Sequence, residues 1–212
     1  MGGHSSKLPG RKKILEHFDE RDPVMAGIIR QTGPFQLKRN QNYFVVLCKA
    51  ILAQQISTAA AHAITVRFHA LFDNHSPIPE RVLKLPDQIL REVGLSRQKT
   101  AYLKDLSRHF LGRTIRPHRL HYLDNEEIVE QLTAVHGIGR WTAEMFLIFS
   151  LNRLDVLPIG DLGLQLALKK IYGMRKLPTA RRMHALGKKW HPMETIATWY
   201  AWRTQDEEII AY

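Results

Sequence analysis

Phe44, Leu47, Cys48, Ile51 and Leu52 recur at i, i+3, i+4, i+7 and i+8, a spacing that lines one face of an α-helix and cannot line one face of a strand. The rest of the chain carries the same kind of signal. Asp22-Pro23 is an N-cap and first-turn pair that opens a short helix through Ile28 and Ile29. Ser57 caps a following helix whose apolar positions include Ile64, Phe68 and Leu71, which leaves Gln54-Gln55-Ile56 at the junction between two helices. Pro79, Pro86 and Ser96 mark further starts, and Gly94 and Gly112 mark stops. Only Arg153 to Pro158 looks extended, and no alternating segment is available to pair with it. The pattern predicts an all-α fold with Cys48 in its core and no internal repeat.

At 212 residues with 44% apolar content the chain is long enough for one compact domain or two small lobes. Its single cysteine excludes an internal disulfide, a four-cysteine zinc site and an iron–sulfur cluster held by this chain alone, and fits a reducing compartment. Uninterrupted apolar stretches such as Met145 to Phe149 are far below the roughly 18 residues of a spanning helix, so a soluble protein with no membrane partner is expected. Residues 1–13 read as a flexible basic tail ending in Arg11-Lys12-Lys13. Met1-Gly2 with Ser6 matches a loose myristoylation pattern, which a single marginal acyl anchor does not make functional.

Lys and Arg outnumber Asp and Glu by 31 to 20, a net charge of +11. The excess is clustered: no acidic residue lies between Asp161 and Glu194, whereas Lys169, Lys170, Arg175, Lys176, Arg181, Arg182, Lys188 and Lys189 are basic. A second concentration runs through Arg97, Lys99, Lys104, Arg108, Arg113, Arg116 and Arg119. A short charge run can be a solvated helix face, but two one-signed stretches in a basic domain favour a nucleic acid partner, through phosphate neutralisation and counterion release.

Leu132 to Phe149 reads as a helix end, a hairpin with Gly137 and Gly139, and an amphipathic helix from Arg140. Two glycines at i, i+2 permit positive φ and let backbone N–H groups approach an anion at a helix N-terminus; an ordinary turn between helices is the alternative. Downstream, a Pro158-Ile159-Gly160 loop ends in Asp161, which opens an apolar helix and on its own would be an N-cap. Together the hairpin and this aspartate resemble the helix-hairpin-helix, Gly-Pro-Asp DNA glycosylase superfamily. Ile51 to Ser57 resembles the family segment that wedges into the duplex, and Trp190 to Trp202 is similar to the C-terminal helix of the 3-methyladenine DNA glycosylase II branch.

The resemblance implies a two-lobed helical bundle with an active-site cleft between the lobes: residues 14–212 as one domain, a lobe of about 40–155 being inserted between segments 14–39 and 156–212. It implies hydrolysis of the N-glycosidic bond of alkylated purines such as 3-methyladenine or 7-methylguanine, by base flipping, in base excision repair. Asp161 becomes the catalytic carboxylate, Gln55 the DNA wedge, and Trp141, with Tyr43 and Trp190, the walls of the base pocket. Gly137, Gly139 and Thr142 would grip a DNA phosphate. The carbonyls of Thr133, Val135 and Ile138 would hold a structural Na+ or K+, no other cofactor being required. For Gln55 a polar cap at the helix junction, and for Trp141 a core position, are the competing readings.

Relatives that also cleave the DNA backbone carry a nucleophilic lysine where this chain has Trp141, so no lyase activity is expected. The length suits a short form without an N-terminal lobe, a monomer acting on double-stranded DNA in the cytoplasm and nucleoid, or in a nucleus. His136 stands where many relatives have proline and Glu194 where arginine is more common. His118 and His121, spaced i, i+3, lack a third ligand, and no zinc site is expected. Three rival functions remain: a non-catalytic hairpin module that binds DNA, a relative acting on mismatched or oxidised bases, and a basic RNA-binding helical domain.

Overall fold

A computed structural model describes residues 8–205, and among them every regular element is helical. In chain order these are α1 (Arg11–Arg21), α2 (Pro23–Gln31), α3 (Tyr43–Ala53), α4 (Thr58–His69), α5 (Pro79–Lys84), α6 (Asp87–Glu92), α7 (Arg97–Leu111), α8 (Asn125–Thr133), α9 (Arg140–Phe149), α10 (Leu162–Ile171), α11 (Ala180–Trp190) and α12 (Glu194–Trp202). Short 3₁₀ turns cover Asp73–His75 and Pro117–Tyr122. The expected caps are in place: Asp22, Ser57, Ser96 and Asp161 each accept a backbone N–H three residues on. No helix among the described residues is long and apolar enough to cross a membrane.

The chain forms two compact units, one of residues 40–146 and one of residues 8–39 with 147–205. The boundary falls within α9, earlier than the expected position near 155. In the first unit α3 packs on α4 and α7, and α5 and α6 pack on α7. Its core holds Leu47, Cys48, Ile51 and Leu52, all fully buried, with Phe44 edge-on to Phe110 at 5.1 Å. Burial pushes the Cys48 thiol well above its ordinary range, so it is an inert apolar filler.

The second unit is built on α12, every residue of which is buried. Asp22 ties its periphery together: Oδ1 caps α2, while Oδ2 accepts from Tyr172 Oη at 2.7 Å and Trp190 Nε1 at 2.9 Å. The extended-looking stretch from Arg153 to Pro158 pairs with no strand because α12 satisfies its backbone. Thr195 Oγ1 donates to Arg153 O and accepts from Val156 N, and Thr195 N donates to Leu154 O.

Of the tail expected over 1–13, residues 1–7, with the Met1-Gly2-Ser6 pattern, lie outside the described residues. Arg11–Lys13 belong instead to the first turn of α1. The Arg11 guanidinium donates to Ile29 O and Thr32 O, both at 2.9 Å, and so caps the C-terminus of α2 where a cation is favoured.

Candidate active site and nucleic-acid interface

In the first unit, α8 and α9 form the hairpin. A full capping box starts α8: Asp124 Oδ1 accepts from Glu127 N, and Glu127 Oε2 accepts from Asp124 N. The turn closes through Val135 N to Leu132 O and Ile138 N to Val135 O, each 3.1 Å, with Val135 and Ile138 buried as anchors. Arg140 at the start of α9 forks onto Glu126 and reaches Glu144 Oε1 at 3.2 Å, which locks α9 to α8.

The two glycines do different things. Gly137 has φ +87°, and a Cβ there would fall 2.1 Å from Tyr102 Cδ2, so both conformation and space demand glycine. Gly139 has no positive φ, contrary to the expectation for both, and a Cβ on it would meet nothing within 4 Å. Its lack of a side chain leaves open space beside the N-terminus of α9 and serves no internal packing. An opening of about 440 Å³ lies here, lined by Gln54, Gln55, Tyr102, His136, Gly137 and Gly139 among others.

Gln55 stands in this opening, exposed and left-handed at φ +55°, and its side chain makes no hydrogen bond among the described residues. A polar cap would be bonded; this glutamine is held out to solvent by a backbone conformation that costs a non-glycine residue about 1 kcal/mol. Its neighbour Gln54, which sequence reasoning passed over, is the one engaged locally, with Nε2 donating to Gly137 O at 2.7 Å. Trp141, in the first turn of α9, is 39% exposed, so it is not a core residue, and Thr142 is half-buried beside it. Thr133, Val135 and Ile138 line the same opening, and Val135 O already accepts from Ile138 N across the turn.

In the second unit, Asp161 closes a turn, its N–H donating to Pro158 O at 3.0 Å, and opens α10. Its Oδ1 accepts from Leu164 N at 2.6 Å and from Trp202 Nε1 at 2.9 Å. Trp202, the last residue of α12, stacks on Phe149 with centroids 6.0 Å apart and planes at 17°. Asp161 is therefore an N-cap, as its position alone suggested, and also more than that. A cap needs only the backbone N–H; the indole donor comes from another helix and fixes the orientation of a half-exposed carboxylate.

The sequence pattern of the HhH-GPD superfamily of base excision DNA repair proteins matches residues 48–193, which contain the hairpin and Asp161. The chain belongs to this superfamily. It is 33% identical to DNA-3-methyladenine glycosylase 1 of Schizosaccharomyces pombe over 90% of this chain and 84% of the relative. A crystal structure of a DNA-3-methyladenine glycosidase from Bacillus halodurans superposes with TM-score 0.84 at 34% identity, covering 96% of this chain and 91% of that one. The S. pombe 3-methyladenine DNA glycosylase in complex with abasic DNA superposes with TM-score 0.77 at 32% identity, covering 91% and 96%.

Two of the aromatic residues expected in an HhH-GPD base pocket are placed otherwise. Trp190 has no exposed surface and its indole N–H is committed to Asp22, so it is a core residue of the second unit. Tyr43 is 7% exposed, with its hydroxyl 3.0 Å from His121 Nε2 and its ring edge-on to Phe146 at 5.2 Å; it packs α3 in the first unit. Trp199 is likewise buried, against Phe35 and under Arg203. Periodicity showed each ring on a helix but not which neighbours would cover it.

The two departures from the HhH-GPD pattern both acquire partners. His136 donates its backbone N–H to Asp105 Oδ2 at 2.9 Å and sets Nδ1 2.7 Å from the same oxygen. Burial alone would raise the Asp105 carboxyl, but the His136 amide and ring, with His109 nearby, outweigh it and hold Asp105 below the usual carboxylate range. Glu194 is buried in the first turn of α12, 2.9 Å from His191 Nδ1, and so takes no part in an open site. Of the basic stretch, Arg175, Lys176, Arg181, Arg182, Lys188 and Lys189 are all exposed and have no carboxylate within 4 Å among the described residues.

Proposed function

We propose that this chain is a monofunctional DNA glycosylase that removes alkylated purines, of the 3-methyladenine and 7-methylguanine type, from double-stranded DNA. The observation that carries the reading is Asp161: a half-exposed carboxylate oriented by two donors, one from its own helix and one from α12. The relatives named above as 3-methyladenine glycosylases support it.

Chemistry on a base requires the base outside the stack. Gln55, held out by its left-handed backbone, fills the space the nucleotide leaves, and the amides at Gly139 and the start of α9 take a backbone phosphate at a helix N-terminus. The exposed indole of Trp141 stacks on a cationic base more strongly than on a neutral one, so selectivity is electronic. As the glycosidic C–N bond breaks, its electron pair neutralises the departing cationic purine. Asp161 stabilises the oxocarbenium-like sugar and accepts the proton of the water that adds to C1′. Trp141 occupies the position of the lyase lysine, so the product is an intact strand with an abasic site. A monovalent cation on the carbonyls of Thr133, Val135 and Ile138 would add rigidity and positive potential to the phosphate seat. The protein acts as a monomer without membrane attachment, wherever the chromosome lies.

The test is single-turnover base release from duplex DNA with one 7-methylguanine, worked up with hot alkali or at neutral pH. Scission only after alkali, lost in Asp161→Asn while duplex binding survives, is expected. Neutral scission with a borohydride-trappable adduct would overturn the monofunctional reading. Turnover by Asp161→Asn would overturn the mechanism, and no base release from the parent would leave a DNA-binding module.

A further inference from the structure

We propose that Asp105 is a positioning residue for the hairpin, fixing it from α7 through His136; this rests on the reading above that the hairpin seats duplex DNA. His136 lies at the turn with its ring 81% exposed, whereas the Asp105 side chain is only 20% exposed. One oxygen, Asp105 Oδ2, takes both the backbone N–H and the ring nitrogen of the same residue. That chelate constrains the backbone of His136 and its side chain together. A single bond from either group would leave the other free to turn.

The same face of α7 meets the neighbouring residue. Tyr102, one turn before Asp105, occupies the volume that a Cβ on Gly137 would need. From the end of α3, Gln54 Nε2 holds Gly137 O at 2.7 Å. Residues 136 and 137 are thus gripped by three side chains from outside the hairpin, two of them from α7. Arg108 Nη1 at 3.8 Å balances the Asp105 charge, His109 Nε2 lies 3.9 Å from the same carboxylate, and Lys99 of α7 lines the same opening with its Nζ donating to Leu52 O.

A carboxylate close to a phosphate seat opposes anion binding unless its charge is engaged. Here it is engaged by the hairpin itself. Proline at position 136 would need no such partner, having no N–H and a fixed φ. With histidine there, an amide must be satisfied and a backbone torsion held, and Asp105 does both through two hydrogen bonds.

The test is reciprocal rescue in the full-length protein, using fluorescence anisotropy with a duplex carrying an abasic analogue and single-turnover release of 7-methylguanine. Asp105→Ala is expected to weaken duplex binding about ten-fold, the effect of losing a charge-assisted pair, while the saturating base-release rate stays at the parent value. Adding His136→Pro to Asp105→Ala should return binding to within about three-fold of the parent. Asp105→Asn, which keeps size and one acceptor, guards against loss of fold and should bind between the two. Parent-like binding by Asp105→Ala, or no recovery in the double variant, overturns the clasp; the second result is what a purely structural role for Asp105 within α7 would give. Gly139→Leu separates the two levels of the argument. Its side chain enters open space, so if it binds DNA like the parent, the hairpin is not the seat and the reading beneath the clasp fails.

Discussion

Trp202→Phe isolates the hydrogen bond that distinguishes Asp161 from an ordinary helix cap. Phenylalanine keeps an aromatic ring over Phe149 and removes the Nε1–H that donates to Asp161 Oδ1 at 2.9 Å. A hydrogen bond to a charged acceptor contributes about 1.5–3 kcal/mol. Leu164 N remains on the same oxygen at 2.6 Å, so the carboxylate stays tethered and the lower figure applies. With about 1.4 kcal/mol per ten-fold in rate, single-turnover base release should slow roughly ten-fold. The loss should appear in the maximal rate at saturating enzyme and leave duplex affinity intact. The smaller ring also leaves a void beside Phe149, so Tm should fall by about 2–4 °C for each kcal/mol lost. A parent-like maximal rate would show that the cap alone orients Asp161 and that the indole donor has no part in the chemistry.

The two hairpin glycines should separate fold from binding. Gly137→Ala combines a positive φ with overlap on Tyr102 and should lower Tm by ten degrees or so. Gly139→Ala should melt like the parent yet bind duplex DNA less tightly; equal melting of the two would refute the distinction. Because His136 holds the Asp105 carboxyl below the usual range, the stability this group contributes is complete above about pH 4 and is lost as pH falls through its lowered value. Melting between pH 5 and pH 2 should therefore show an acid limb that Asp105→Asn flattens, and an unchanged limb in that variant would dismiss the linkage. Replacing Arg181, Arg182, Lys188 and Lys189 together by glutamine should reduce the dependence of log K on log salt by up to about 0.9 per phosphate contact removed, and an unaltered slope would mean that this face carries no DNA.

What could be read directly from the chain is what acts over one helical turn. The i, i+3, i+4 face of α3, the caps at Asp22, Ser57, Ser96 and Asp161, and the demand for glycine in the hairpin depend on groups three or four residues apart, so residue order alone contains the interaction. Even there the reason for Gly137 was only half visible: the positive φ is local, but the ring of Tyr102 against it is not. The roles of individual side chains came from contacts over long separations. Trp202 reaches Asp161 across 41 residues, Asp105 reaches His136 across 31, and Gln54 reaches Gly137 across 83. Trp190 and Trp141 look alike as single tryptophans on amphipathic helices, yet one is sealed against Asp22 and the other is 39% exposed. Helical periodicity states which face an aromatic occupies, and only the packing of the other helices determines whether that face is covered.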